Sequence, residues 1–209
     1  MISARDAIER LRDGNRRFAT NMRRLDPLVS DAPRSELANE QHPFAIILGC
    51  SDSRVPPEVV FDQGLGNLFV VRVAGNIVAP SQVDSVEFAA SRFGTRLVMV
   101  LGHSQCGAIL ATLEELRQPK ESHSLYLRSI VDRVRPSVTG LLATEFKNDP
   151  DTLVKQAVRA NVRASANQLR HGSAVLEQLI ENEDLVVVGA EYSLETGVVD
   201  FFDVELAAG

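Results

Sequence analysis

The chain has 209 residues, 44% of them hydrophobic and 24% charged, with a formal net charge of −6. That length suits a single domain, 1–209, able to bury its own core. The acidic balance argues against a nucleic-acid binder, and no apolar run approaches the roughly 20 residues of a membrane span. Its two cysteines, Cys50 and Cys106, exclude a disulfide framework and point to the reducing cytoplasm. The opening Met1-Ile2-Ser3-Ala4-Arg5-Asp6 meets charge before any hydrophobic stretch, which predicts no signal peptide.

In chain order, Ser3 and Asp6 form a predicted cap for an amphipathic helix with Ala4, Ala7, Ile8, Leu11 and Phe18 near one face. Residues 21–41 are polar and read as a loop or a short irregular helix pair. Residues 1–40 thus form an N-terminal helical arm and 41–209 an α/β core. Four apolar runs follow, Phe44–Gly49, Leu68–Val71, Leu97–Leu101 and Leu185–Val188, without polar alternation. Such runs suit central parallel strands covered on both faces. Between them lie predicted helices at Ser81–Phe93, with a Ser81/Asp84 cap pair, at Gly107–Arg117, from Asp149-Pro150 to about Arg170, and at Gly172–Asn182. Tyr192–Leu206, with a Thr196-Gly197 turn, reads as a hairpin ending in an edge strand at about 198–206. The fold class is α/β, a mainly parallel central sheet flanked by helices.

Open α/β sheets bind ligands beyond the carboxyl ends of their strands. Two of the runs end there in Gly49-Cys50-Ser51-Asp52-Ser53-Arg54 and Gly102-His103-Ser104-Gln105-Cys106-Gly107. Taken singly, a cysteine reads as a small buried hydrophobe, and a histidine or an Asp-x-Arg pair as structural wiring. Jointly, two thiolates, an imidazole and a carboxylate read as a zinc set, Cys50, His103 and Cys106 with one further position. Chemistry alone leaves Asp52 as either the fourth ligand or a group beside a bound water. Arg54 bears on the choice, because a bidentate pair with Asp52 removes that carboxylate from the metal. Adding either Asp52 or hydroxide leaves the centre at −1, so pH can decide between the two closures. Two thiolates donate more charge than three imidazoles, and the bound water is expected to ionise above the roughly 7 of a three-histidine site. His42, His123 and His171 carry no such signal. The arginines Arg10, Arg12, Arg16, Arg17, Arg23 and Arg24 are expected to face solvent or another subunit.

The paired motifs, with Gln41-His42-Pro43, Phe69–Asn76, Ser85–Ala89, Gly189–Tyr192 and Thr196-Gly197 around them, resemble the β-class carbonic anhydrases over most of the chain. The resemblance implies reversible hydration of carbon dioxide to bicarbonate at one Zn2+ per subunit. The zinc is held by Cys50, His103 and Cys106, with hydroxide or Asp52 in the fourth position. It implies that Asp52, paired with Arg54, orients the hydroxide, and that Gln41 and the backbone N–H of Gly107 contact the substrate. Phe69 and Ala74 occupy the family's pocket positions. It also implies a homodimer or dimer of dimers, with residues 1–20 reaching to a partner unless that helix folds back on its own subunit. Three positions depart from the family pattern. Ile47 stands in place of the Trp that joins Arg72 and Tyr192 at an inhibitory bicarbonate site, Phe88 in place of a Tyr, and Val73 in place of an Asn. No residue is marked as a proton shuttle. Two other readings share these residues, hydrolysis of carbonyl sulfide or carbon disulfide on the same scaffold and a non-catalytic protein whose zinc is closed permanently by Asp52.

Overall fold

A computed structural model describes residues 2–22, 34–118 and 125–204. Its sheet has five strands in the order β2-β1-β3-β4-β5. They are β1 (Ala45–Gly49), β2 (Leu68–Arg72), β3 (Leu97–His103), β4 (Val186–Tyr192) and β5 (Val199–Asp203). Strands β1 to β4 are parallel, and β5 returns antiparallel along β4.

The unbroken apolar runs have a simple cause. Successive strand residues face opposite sides, and here both sides are covered. Ala45 and Ile47 of β1 and Leu97, Met99 and Leu101 of β3 face one cluster, which α1 (Ala4–Ala19) closes with Ala7, Ile8 and Leu11. Ile46, Leu48, Val98 and Val100 face the other. That second side is closed by α4 (Pro80–Phe93), α7 (Pro150–His171) and α8 (Ala174–Asn182). A third cluster, at the carboxyl ends of the strands, joins Cys50 and Cys106 to α5 (Gly107–Arg117), α6 (Leu125–Val138) and α7.

Several predicted boundaries shift for physical reasons. Strands β3 and β4 run past the apolar stretches through Gly102 and Gly189, where the ladder continues although hydrophobicity stops. A Cβ on Gly102 would stand 2.5 Å from Val162 of α7, so that helix approaches the strand only because the position is bare. The Ser81/Asp84 cap is overturned. Helix α4 begins one residue earlier, at Pro80, which needs no N–H partner at a first helical position, after Ala79 as N-cap. Ser81 lies inside the helix and accepts Ser85 Oγ at its carbonyl. The Ser3, Asp149 and Ser173 hydroxyl and carboxylate caps are present. Helix α6 and the 3₁₀ turns at Thr139–Ala143 and Glu145–Asn148 were not predicted. The apolar residues of α6 (Val131, Val134 and Val138) are set among charges, which masks the period. In the hairpin, Tyr192 belongs to β4 and the turn spans 193–198, leaving the edge strand at Val199–Asp203. Residues 205–206 of the predicted edge strand lie outside the described residues.

Of the two places open to the N-terminal helix, α1 takes the one on its own sheet. Its arginines Arg10, Arg12 and Arg16 face solvent as expected, and only Arg17 is half-buried. Arg10 stacks on Phe44 and Arg12 on Phe201, while Arg17 pairs with buried Asp62. Arg16 stays exposed with Asp13, and Arg23 and Arg24 lie outside the described residues. Asn15 locks the helix in place. Its Nδ2 donates to the carbonyls of Val60 (3.2 Å) and Gly197 (2.8 Å), and its Oδ1 accepts the N–H of Val199 at 2.8 Å. Replacing it strands two buried backbone groups and a half-buried one. Asn15→Ala is therefore expected to lower unfolding stability by about 3 kcal/mol, read from urea denaturation.

Candidate functional site

Three neighbouring stretches bring the site together at the carboxyl end of the sheet. Cys50 follows β1, His103 is the last residue of β3, and Cys106 is the N-cap of α5. Their ligand atoms all lie within 4.8 Å of one another and all three side chains are buried. Ligand atoms around a tetrahedral zinc stand roughly 3.5 Å apart, so a small closure suffices.

The hydrogen bonds fit a cation. His103 Nδ1 lies 2.9 Å from the carbonyl oxygen of Ser104. A carbonyl only accepts, so Nδ1 carries the proton and Nε2 keeps its lone pair. That Nε2 is buried and has no partner, the arrangement of a metal-binding imidazole. Cys50 is pushed down to about 4 by the Cys106 thiol donating to it, against burial and with help from the Gly75 N–H. The same contact, with burial and the nearby Cys50 charge, holds the Cys106 proton on, while the N–H groups of Ile109 and Ala108 pull the other way. Without a cation, then, one proton serves two sulfurs. A divalent ion removes that conflict.

Asp52 and Arg54 stand beside this trio. Arg54 donates Nε to Asp52 Oδ1 at 2.9 Å and Nη2 to Oδ2 at 2.7 Å, and its backbone N–H also reaches Oδ1 at 3.0 Å. Oδ2 is 3.9 Å from His103 Nε2. The Arg54 bonds hold the carboxyl well below the usual aspartate range, with burial opposing. Arg72, which the sequence connects only with bicarbonate inhibition, has another task. It donates Nε to the carbonyl of Cys50 at 2.9 Å and Nη2 to that of Asp52 at 2.6 Å, pinning the loop that carries both. Ile47 is fully buried in the sheet, and Tyr192 packs on Phe18.

Of the remaining candidate residues, two join the cluster and two do not. Ala74 precedes Gly75, whose N–H donates to Cys50 Sγ at 3.4 Å, and Gly107 opens α5 directly after Cys106. Gln41 is exposed four residues before β1 and lines a cavity of about 630 Å³ with Leu37, Leu65, Arg92 and Phe93. Phe69 pairs opposite Ile46 and stacks on Phe88 and Phe93. The length of β1, five residues or roughly 16 Å, separates that end of the sheet from the cluster. Phe88 is 54% exposed among these rings, far from any metal ligand. Val73 packs in the apolar clusters beside the site. His42 meets Glu40 at the surface, His171 ends α7, and His123 lies outside the described residues.

Sequence reasoning missed the Arg72 clamp, the Gly75 donor and the tie from Ser104 Oγ to Glu195 Oε2 at 2.8 Å. No local pattern announces a bond between residues 91 positions apart.

A family model described as carbonic anhydrase matches residues 45–199. The chain belongs to the β-carbonic anhydrase family. As a member it is a lyase that interconverts carbon dioxide and bicarbonate. It is 37% identical to carbonic anhydrase 2 of Mycobacterium tuberculosis over 187 residues, covering 90% of this chain and 87% of that protein. It is 37% identical to a carbonic anhydrase of Mycolicibacterium smegmatis over 190 residues, covering 91% and 89%. In structure it resembles the β-carbonic anhydrase CafA of Aspergillus fumigatus, with a TM-score of 0.73, 26% identity and 81% and 80% coverage. The Coccomyxa β-carbonic anhydrase in complex with acetazolamide gives 0.71 and 26% over 80% and 75%.

A depressed carboxyl favours the ionised form until pH falls through its folded value. The Asp52–Arg54 pair is thus expected to survive acid that protonates ordinary aspartates. In a carbon-13 NMR titration of the metal-free protein, Asp52 should stay ionised at pH ~4, whereas Arg54→Ala should bring it back to half-protonation near that value.

Proposed function

We propose that this family member hydrates carbon dioxide with one zinc ion held by Cys50 Sγ, His103 Nε2 and Cys106 Sγ. The observation that carries the reading is the buried His103 Nε2, without a hydrogen-bond partner and facing two sulfurs. When bound, zinc supplies a water acidic enough to act as nucleophile near neutral pH.

The chain's own residues do the rest. Asp52 Oδ1 takes two bonds from Arg54 and Oδ2 only one, so Oδ2 keeps acceptor capacity. It receives the hydrogen bond of the attacking oxygen, whose remaining lone pair is thereby turned to the carbon of CO2. By holding both carboxylate oxygens, Arg54 would keep Asp52 from binding a metal held by the trio, which counts against a permanently closed structural zinc. The buried face of Cys50, Ile77 and Cys106 suits a substrate with no net dipole. The N–H of Gly107, at the positive end of α5, meets the negative charge that develops on a CO2 oxygen. Ala74 borders the same space. Carbon dioxide and water leave as bicarbonate and a proton.

Gln41 and Phe69 are a strand's length from their own chain's cluster, so their substrate contacts are proposed to come from a second copy. Exposed Leu65 and Phe88 beside them support burial in a homodimer or dimer of dimers. Two thiols used as ligands fit a reducing cytoplasm, and among the described residues no helix is long and apolar enough to cross a membrane.

Stopped-flow CO2 hydration across pH, with zinc quantified on the same sample, tests the reading. Cys50→Ser, His103→Ala and Cys106→Ser should each lose zinc and turnover together. Arg54→Ala should keep zinc and lose about 10–100-fold in rate at neutral pH. One zinc per chain with no hydration at any pH would leave only the structural role.

A further inference from the structure

Two buried polar side chains of α7 touch neither a candidate metal ligand nor Asp52 or Arg54, but bond to the backbone at and beside Gly75. Asn161 donates Nδ2 to the carbonyl of Gly75 at 2.8 Å. Ser165, one turn on, donates Oγ to the carbonyl of Asn76 at 3.0 Å. Both side chains are nearly inaccessible, at 2% and 5% exposure. Neither bond belongs to the helix or the sheet.

Both bonds land on the most constrained bend near the site. Gly75 has φ +70° and Asn76 φ +43°, two consecutive left-handed residues buried in the core. Non-glycine residues rarely adopt that conformation without support from their surroundings. A Cβ at Gly75 would stand 3.0 Å from Ala108 Cβ, so the bend lies tight against the first turn of α5. Asn161 fixes the peptide plane after Gly75, and Ser165 fixes the plane after Asn76. The plane before them carries the N–H that Gly75 donates to Cys50 Sγ.

The same helix also meets the strand bearing His103. Val158 and Val162 fill the space that bare Gly102 leaves one residue before it, and Val158 packs in the cluster containing both cysteines. One rigid helix thus sets the backbone beside a sulfur and beside the imidazole.

We propose that Asn161, assisted by Ser165, is a positioning residue of the metal centre: it holds the Gly75 bend so that the backbone N–H stays on the Cys50 sulfur. This rests on the reading of Cys50, His103 and Cys106 as metal ligands. Ligand-supporting hydrogen bonds of this kind govern metal retention by about 10–100-fold when removed. A purely structural amide, in contrast, would affect only folding.

The test uses the zinc-loaded full chain and its cobalt(II)-substituted form. Zinc release to a colorimetric chelator gives retention, and the near-ultraviolet thiolate-to-cobalt band reports the sulfur's surroundings. Asn161→Asp keeps the shape and removes the donor, and Asn161→Ala removes the side chain. Both should speed zinc release by about 10–100-fold and move the cobalt band. Ser165→Ala should do so more weakly, and Ser165→Thr, which keeps a hydroxyl, should restore wild-type values. Leu169→Ala, two turns further along α7 in the other cluster, should lower the thermal midpoint while leaving release and band unchanged. If the Asn161 variants fail to fold, the Ser165 pair decides. Release within twofold of wild type with an unmoved band in the variants that fold overturns the proposal, as does equally fast release from Leu169→Ala. A wild-type chain that takes up neither zinc nor cobalt overturns the metal centre itself.

Discussion

The structure depends on bringing two sulfurs and an imidazole nitrogen together in a corner that excludes water. Such a corner does not form from the preferences of its members. Burial disfavours ionised thiols, and two neighbouring thiols compete for one proton. The frame must therefore be rigid enough to impose the arrangement. Parallel strands provide that rigidity, because their carboxyl ends lie on one side of the sheet, where β3 runs two residues past the end of β1 and the residues there meet. Cys50 directly follows β1, His103 ends the neighbouring β3, and Cys106 stands where the next helix begins. The cost of their meeting is offset by the three apolar clusters that fix the sheet between its helices.

Around that corner, backbone and side-chain interactions are divided between two arginines. Arg72 binds backbone carbonyls, which have no alternative conformation once the loop is formed. Arg54 binds a side chain and is itself largely exposed. An exposed pair contributes little to stability because water and salt screen it, so breaking it would cost the fold little. Position in the loop thus separates a backbone anchor from a partner of the Asp52 side chain, although both residues carry the same guanidinium.

The N-terminal helix shows how one face can serve two tasks. Its arginines form a solvated face, yet Arg10 and Arg12 also lie over aromatic rings and Arg17 reaches a buried carboxylate. A guanidinium is flat and weakly hydrated, and it packs on a ring without giving up its charge. Asn15 would pass as an ordinary helix residue, but it joins α1 to the last residue of a short helix, Pro57–Val60, to the β4–β5 turn and to the start of β5.

The sequence by itself determined the α/β class, the four parallel strands, the order of the principal helices and the identity of the metal-competent residues. These are local properties. Two-sided burial writes an apolar run into each strand, caps and prolines mark helix starts, and thiolate, imidazole and carboxylate are chemically distinct wherever they fall. Helix α6 stayed hidden because its apolar residues are diluted by charge, and the start of α4 moved because Pro80 outweighs a serine one residue later. Only the tertiary structure decided that His103 presents Nε2, that Arg72 clamps the Cys50 loop, that Gln41 and Phe69 stand away from their own cluster, and that Asn161 reaches Gly75 from 86 residues away. Each of these depends on the distance and angle between elements, and those are set by how side chains fill the space between packed surfaces rather than by any residue's neighbours in the chain.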